Sequence, residues 1–469
     1  MESSKHVIII GGGLAGLSAA VRLAESGFRI TLLERRPYLG GRASSYPVSP
    51  SSEELVDNCQ HVLLKSCTNL IDFYRRIDSY RNITFFDRIP FLDERARLSF
   101  LKGSILPAPL HMLPSFLRFK PLEWKDRFRV MYALSGMLRE RQNLQNLDGI
   151  SMLDWLQKHK QTDRTIEAFW RVVLVSALNE DIEVVSARYG IQAFLDGVLK
   201  QKKAFHVGIP SVPLSRLYTE PSLKFLGERN AGIRLRCQVK SIEVHDSLVQ
   251  RIELKEGAPL AADYYVSSVP PDVLLRLLPE SVVNSMEVFG NLRQLQSSPI
   301  TAVYLWLDRK VTDLEYAALP GRQLQWMFNK SPDRNGASQL GLVVSASRKL
   351  LPLGRSEILE QAVRELKEIF PAARQAEVVR GVVIKEPFAT FSCRTGSDAL
   401  RPDQQTPIRN LFVAGDWTRT GWPPTMEGAV RSGYRCAELI LTAEGIQKSL
   451  MQPDLPPQGV LRFLKWNSL

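Results

Sequence analysis

A short unbroken apolar run, Val7-Ile8-Ile9-Ile10, ends at three glycines and gives way to apolar residues at helical spacing, Leu17, Ala20, Val21 and Ala24. Such a run marks a strand covered on both faces, and the 3.6-residue period marks an amphipathic helix, so strand is predicted over 6–10 and helix over 14–26. A second strand follows over 29–33. The same order returns near the other end, with a strand over 411–414, a turn at 415–416 and a helix from 427 to about 441. Between them, residues 232–234, 239–253 and 262–270 read as a β-meander returning to the first sheet. Residues 78–205 read as largely helical, and 286–400 as strands (300–307, 341–346) with a helix over 357–369. Stretches 44–54 and 451–459 read as loops, and no internal repeat is visible.

The turn between the first strand and helix is Gly11-Gly12-Gly13-Leu14-Ala15-Gly16. Gly11 permits the tight turn, Gly13 lets backbone approach a pyrophosphate, and Gly16 lets the helix lie close on the strand. The helix start at Leu14 and Ala15 offers free N–H groups to phosphates. Glu34 closes the second strand, placed to accept hydrogen bonds from ribose hydroxyls and to repel a 2′-phosphate. This much fits NAD and FAD alike.

Glu34-Arg35 leads to Gly40-Gly41-Arg42-Ala43, a second glycine pair whose backbone can run beside a pyrophosphate and ribityl chain, with Arg42 supplying charge. At this distance after the acid it resembles the doublet of the amine oxidase and phytoene desaturase flavoprotein superfamily. Near the C-terminus, Gly415-Asp416 can hold the ribityl or pyrophosphate side of FAD. The helix entered through Thr425, Met426 and Ala429 can face the flavin with its positive end. Val239 falls near the adenine by analogy. The expected fold is α/β: a Rossmann-type FAD-binding domain assembled from the discontinuous segments 1–77, 206–285 and 401–445, and a mixed α+β substrate domain from 78–205 and 286–400. Residues 446–469 form a tail.

Composition narrows the setting. With 469 residues and 44% apolar content the chain can enclose a large ligand. Its 61 Lys and Arg against 49 Asp and Glu give +12, spread along the chain, which favours anionic surfaces. No zinc-finger spacing or RNA-binding aromatic signature accompanies the charge, so a membrane surface is preferred to nucleic acid. Cys59, Cys67, Cys237, Cys393 and Cys436 form no CxxC pair, against a disulfide framework or zinc site and in keeping with a reducing cytoplasm. No run of about 18 apolar residues is present, so a membrane would be touched and not crossed.

Further runs carry a narrower resemblance. Asp57-Asn58-Cys59-Gln60-His61-Val62-Leu63-Leu64, Phe169-Trp170 with Ala177-Leu178-Asn179, residues 208–218, and Ala414-Gly415-Asp416-Trp417-Thr418 with Gly421-Trp422-Pro423-Pro424-Thr425-Met426-Glu427-Gly428-Ala429 span most of the chain. Together they resemble the squalene-associated FAD-dependent desaturases known as hydroxysqualene dehydroxylases. Cys59 departs from a usual glycine, and Pro424 from a frequent alanine. The resemblance implies reductive removal of the allylic hydroxyl of hydroxysqualene, giving squalene for hopanoid or related triterpene synthesis. It also implies contact with enzymes of squalene synthesis and a cytoplasmic enzyme held peripherally at the membrane.

Such chemistry needs an acid, an apolar tunnel and electron-rich faces. His61 is the leading acid or polar orienter, with a histidine of the cofactor wall as the equal alternative; Gln60 is second, and Trp422 and Trp417 wall the flavin. Residues 101–137 mix apolar residues, basic residues and prolines, which suits either helices at a membrane interface or a lobe with a solvated basic face. The stretch 460–466 has the same character. Two rival functions stand beside the first: an oxidative carotenoid-type desaturase, and a non-catalytic flavin-binding scaffold of a squalene-synthesising complex.

Overall fold

In the computed structural model, described for residues 4–49, 51–331 and 336–466, the first apolar run is the centre of a parallel sheet. The strand order is Gly232–Arg234, Arg29–Leu33, His6–Ile10, Tyr264–Ser267, Leu411–Val413. Its unbroken hydrophobicity has a direct cause. Val7 and Ile9 point into one core with Leu17, Val21, Val430 and Tyr434, while Ile8 and Ile10 point into another with Val239, Ile252 and Tyr265. The first core is covered by helices Leu14–Glu25 and Met426–Ala443, from opposite ends of the chain.

The expected meander is corrected. Residues 232–234 and 264–267 are parallel strands of the central sheet, and the stretch between is a separate antiparallel pair, Val239–His245 with Leu248–Leu254. Asp246 and Ser247, both at positive φ (51° and 55°), close that hairpin, the backbone twist a two-residue hairpin turn requires.

A second, seven-stranded sheet carries the other lobe, in the order Val378–Phe391, Ser297–Leu307, Ser338–Ser345, Trp326–Asn329, Tyr316–Ala318, Arg88–Leu92, Leu98–Lys102. Alternation along Ser297–Leu307 sorts its faces. Val303, Leu305 and Leu307 pack with Ile358, Ala362 and Leu366 of helix Arg355–Ile369, while Ala302 and Tyr304 pack with Phe328 and Ile384 on the side turned to the cofactor lobe.

The expectation that 78–205 is largely helical fails over its first quarter. Ile83–Phe86 pairs with Val207–Pro210, and Arg88–Leu92 pairs with Leu98–Lys102 as a sheet edge. Residues 101–102, expected at the start of the membrane-contact helices, end that last strand, because the alternation of Leu98 to Lys102 buries Ser99 and Leu101 in the sheet. Helices occupy the rest, among them Trp124–Glu140, Arg171–Leu178 and Ala187–Phe194. Of the segments expected as loop or tail, 50 and 467–469 lie outside the described residues.

Candidate active site

The glycine turn is shaped by two kinds of demand. Gly11 has φ of +107°, which only glycine adopts without strain, and a Cβ on Gly16 would overlap the Gly11 carbonyl oxygen. Both are therefore fixed by the fold itself. Gly13 is different: its φ of −82° suits any residue, and a Cβ there would meet only the Gly41 Cα, at 3.7 Å. What a side chain at Gly13 would enter is the cavity.

That cavity, about 1000 Å³, lies between the lobes, at the upper end of ligand-site sizes. Gly11, Gly13, Leu14, Ala15, Glu34, Arg35, Gly41, Arg42, Ala43, Val239, Gly415, Asp416, Thr425, Met426 and Ala429 all line it, as do Gln60, His61, Trp417 and Trp422. Gly16 alone of the expected residues sits behind the wall, supporting the turn.

The polar groups around this space are anchored. Glu34 accepts from the Gly12 and Arg36 backbone N–H groups, each at 2.8 Å, which fixes its carboxylate at the end of the second strand. Arg42 pairs with Asp416, joining the glycine doublet to the C-terminal turn. Beneath that turn lies Arg401, fully buried, donating to the carbonyl oxygens of Asp416 (3.0 Å), Thr418 (2.6 Å) and Trp422 (3.0 Å). The buried Glu427 accepts from Asn69 N, Asn69 Nδ2, Leu70 N and Arg431 Nε at 2.7–3.1 Å. It thereby caps helix Thr68–Arg76 and holds it against the C-terminal helix.

His61 Nε2 lies 3.2 Å from Asn58 Oδ1. Burial lowers the imidazole to about 4, against the opposing charge of Asp57 and with Lys330 acting in the same direction as burial. An imidazole so lowered is held mostly neutral near pH 7, which suits a polar orienter better than a proton donor. Trp170 is buried away from the cavity and donates to Gln161. Asn179 lines the cavity but ties strands together, donating to Ser298 O and Thr390 Oγ1 and accepting from Ala346 N.

Two sets of lining residues escaped the sequence reading. Trp326 and Phe328, two apart on one strand and near-parallel to the Tyr316 ring, line the cavity; the alternation of Trp326-Met327-Phe328 was the available signal. Two carboxyl residues, Asp196 and Glu386, also line it. Asp196 sits on a π-helical turn, Leu195–Leu199, beside Lys200 at 3.2 Å, and no local pattern marked either position.

The wall suits a dinucleotide. Helix Leu14–Glu25 opens with no side-chain cap and no acidic residue in its first turn, so its N–H groups and positive end are free for phosphate. Gln60 Oε1 and Trp422 Nε1 are buried without a protein partner among the described residues, polar atoms that a ligand can satisfy. Leu63, Phe91, Leu174, Phe194, Phe205 and Val207 continue the cavity as an apolar limb.

A glycine-turn dinucleotide site joined to an apolar limb across two lobes defines a flavoprotein oxidoreductase. The chain belongs to the flavin-containing amine oxidoreductase family, whose sequence profile matches residues 14–441, and its cofactor is FAD. It is 26% identical to the 15-cis-phytoene desaturase of Synechococcus elongatus over 465 residues, covering 94% of this chain and 96% of that one. It is 28% identical to the zeta-carotene desaturase of Zea mays over 483 residues, covering 93% and 83%. Among solved structures, cyclohexylamine oxidase from Brevibacterium oxydans shares the fold with a TM-score of 0.70 at 16% identity, covering 94% of this chain and 100% of that one.

Proposed function

We propose that this FAD-dependent oxidoreductase removes the allylic hydroxyl of hydroxysqualene reductively, releasing squalene. The observation that carries the reading is convergence. Cys59, Gln60, His61 and Leu63, then Ala177 to Asn179, then Trp422 to Thr425 come from three distant stretches that carry the hydroxysqualene dehydroxylase resemblance, and all line one cavity. Bound and reduced, FAD supplies a hydrogen with its electron pair to the carbon that loses oxygen. The chain supplies the rest: the apolar limb orients a long hydrocarbon and excludes water, and the electron-rich rings of Trp326 and Phe328 in the cavity wall favour positive charge on an allylic carbon. His61 and Asn58 give the hydroxyl a hydrogen-bonding partner.

The route for so apolar a substrate is a membrane surface. Loop 103–112 packs on the cavity-lining Phe205 through Gly103 and His111, and the tail at Gly459 packs on Ala108. This contiguous region leaves Ile105 and Phe463 94% and 76% exposed, beside Lys102, Arg462 and Lys465, a combination that suits peripheral contact with anionic lipid on the cytoplasmic side. No helix among the described residues is long and apolar enough to cross a membrane. Contact there with enzymes of squalene synthesis follows from the same reading.

Oxidative desaturation of a polyene is the second reading, favoured by the names of the desaturase relatives. The two differ in electron flow. Anaerobic holoenzyme reduced with dithionite is expected to reoxidise on hydroxysqualene with squalene appearing. Oxidised holoenzyme bleached by phytoene, with no response to hydroxysqualene, supports desaturation; neither reaction in FAD-loaded protein supports the scaffold.

A further inference from the structure

Dehydroxylation needs a proton for the departing oxygen, and the neutral His61 does not hold one to spare. The carboxyl groups lining the cavity belong to Glu34, Asp196, Glu386, Asp416 and Glu427. Four are committed: Glu34 to two backbone N–H groups, Glu427 to four donors, Asp416 to Arg42 and Asp196 to Lys200. Glu386 has no cation within ion-pair distance among the described residues.

Its placement follows from the backbone. Strand Val378–Phe391 pairs regularly with Ser297–Leu307 from Trp306↔Arg380 to Ile300↔Glu386, which sets Glu386 on the same face as Ile384, the side turned to the cofactor lobe, and then shifts register so that Ser298 faces Thr390. This bulge, at Pro387, re-aims the side chains that follow it. Glu386, Ala389 and Thr390 line the cavity while Phe388 points to solvent, 73% exposed. Glu386 thus arrives beside the Asn58 amide, whose oxygen meets His61.

We propose that Glu386 is the proton donor of the dehydroxylation, a role that rests on the function proposed above. Its carboxyl proton passes to the substrate hydroxyl oxygen, the carbon–oxygen bond breaks and water leaves. The allylic carbon takes a hydrogen with its electron pair from reduced FAD, which is oxidised and must be re-reduced by an external two-electron donor, dithionite in the assay. Glu386, left as carboxylate, regains a proton from solvent. Burial raises the Glu386 carboxyl above its ordinary range, opposed by the Asn58 hydrogen bond and the Arg36 charge, which keeps more of it protonated as neutrality is approached. Arg36, Asn58, Tyr46 and Cys59 face it from the cofactor lobe, while His61, bonded to the same Asn58, has Asp57 and Lys330 acting on it.

The test compares the alcohol with the corresponding allylic chloride, whose leaving group needs no proton, in single turnovers of dithionite-reduced holoenzyme. Glu386→Gln is expected to keep FAD and its spectrum and to form squalene from the alcohol about 10²–10⁴-fold more slowly, yet to match wild type on the chloride after subtraction of solvolysis. Glu386→Asp is expected to recover part of the rate. In wild type the alcohol rate should fall as pH rises while the chloride rate stays level, a comparison that needs no variant. Equal loss on both substrates, an unchanged alcohol rate in Glu386→Gln, or one pH profile for both overturns the assignment alone. Wild type that makes no squalene overturns the proposed function and the assignment with it.

Discussion

Replacing Gly13 by alanine is expected to weaken FAD binding while leaving the fold intact, and replacing Gly16 to destabilise the FAD-free protein too. The Gly13 Cβ position has one protein neighbour at ordinary contact distance, and φ there is unexceptional, so the FAD-free variant should match wild type within about 0.5 kcal/mol. The added methyl stands where the cofactor must pack. Overfilling a close contact costs about 1–3 kcal/mol, which at 1.4 kcal/mol per tenfold is about a 5- to 150-fold rise in Kd. At Gly16 the methyl overlaps backbone, so the strain falls on the FAD-free protein as well. Protein stripped of FAD at high bromide would be titrated with FAD by fluorescence quenching, and its unfolding followed by circular dichroism. Gly13→Ala binding FAD as wild type does, or losing as much FAD-free stability as Gly16→Ala, would refute the division of roles.

Other outcomes follow from single contacts. Glu427→Gln places an amide nitrogen among four donors and leaves Arg431 with Asp454 alone; a loss of about 3 kcal/mol is expected in urea unfolding, and an unchanged midpoint contradicts the capping role. His61, held neutral with a folded value of about 4, binds protons more weakly than in the unfolded chain. Its contribution is thus complete above pH 6.5 and lost as pH falls toward 4, at most about 3 kcal/mol. FAD-free His61→Gln should show a shallower acid decline, and an identical decline removes His61 as its source. Ile105→Glu with Phe463→Glu should lower binding to anionic vesicles at least tenfold, since each buried apolar side chain is worth about 1.5–3 kcal/mol; unaltered binding places the lipid contact elsewhere.

The cofactor half of this molecule was legible because its constraints are local. A strand, a glycine turn and a helix are contiguous, so Gly11 to Glu34 announces itself, and the Gly415-Asp416 turn repeats the logic at the other end. The spacing of the meander misled, since parallel partners such as Gly232–Arg234 and Arg29–Leu33 are chosen by the sheet and not by neighbours in sequence, and so did stretch 44–54, expected as a loop, where Ser45–Pro47 pairs with Leu55–Asp57. The substrate half was harder to read. Asp196 reaches the cavity through a π-turn, and Arg401 acts on carbonyl oxygens fifteen to twenty-one residues away, neither of which leaves a periodic trace. Glu386 follows the alternation of its strand, but which face of that strand meets the cavity is set by sheet pairing and lobe packing. His61 was found by its neighbours, but its protonation is set by enclosure, which sequence does not display.

The most direct test of the account follows the hydrogen. Dithionite-reduced holoenzyme in D₂O, mixed anaerobically with hydroxysqualene, is expected to give one squalene per FAD oxidised, carrying a single deuterium at the carbon that bore the oxygen. Squalene without that deuterium, or FAD that stays reduced beside unchanged alcohol, contradicts it.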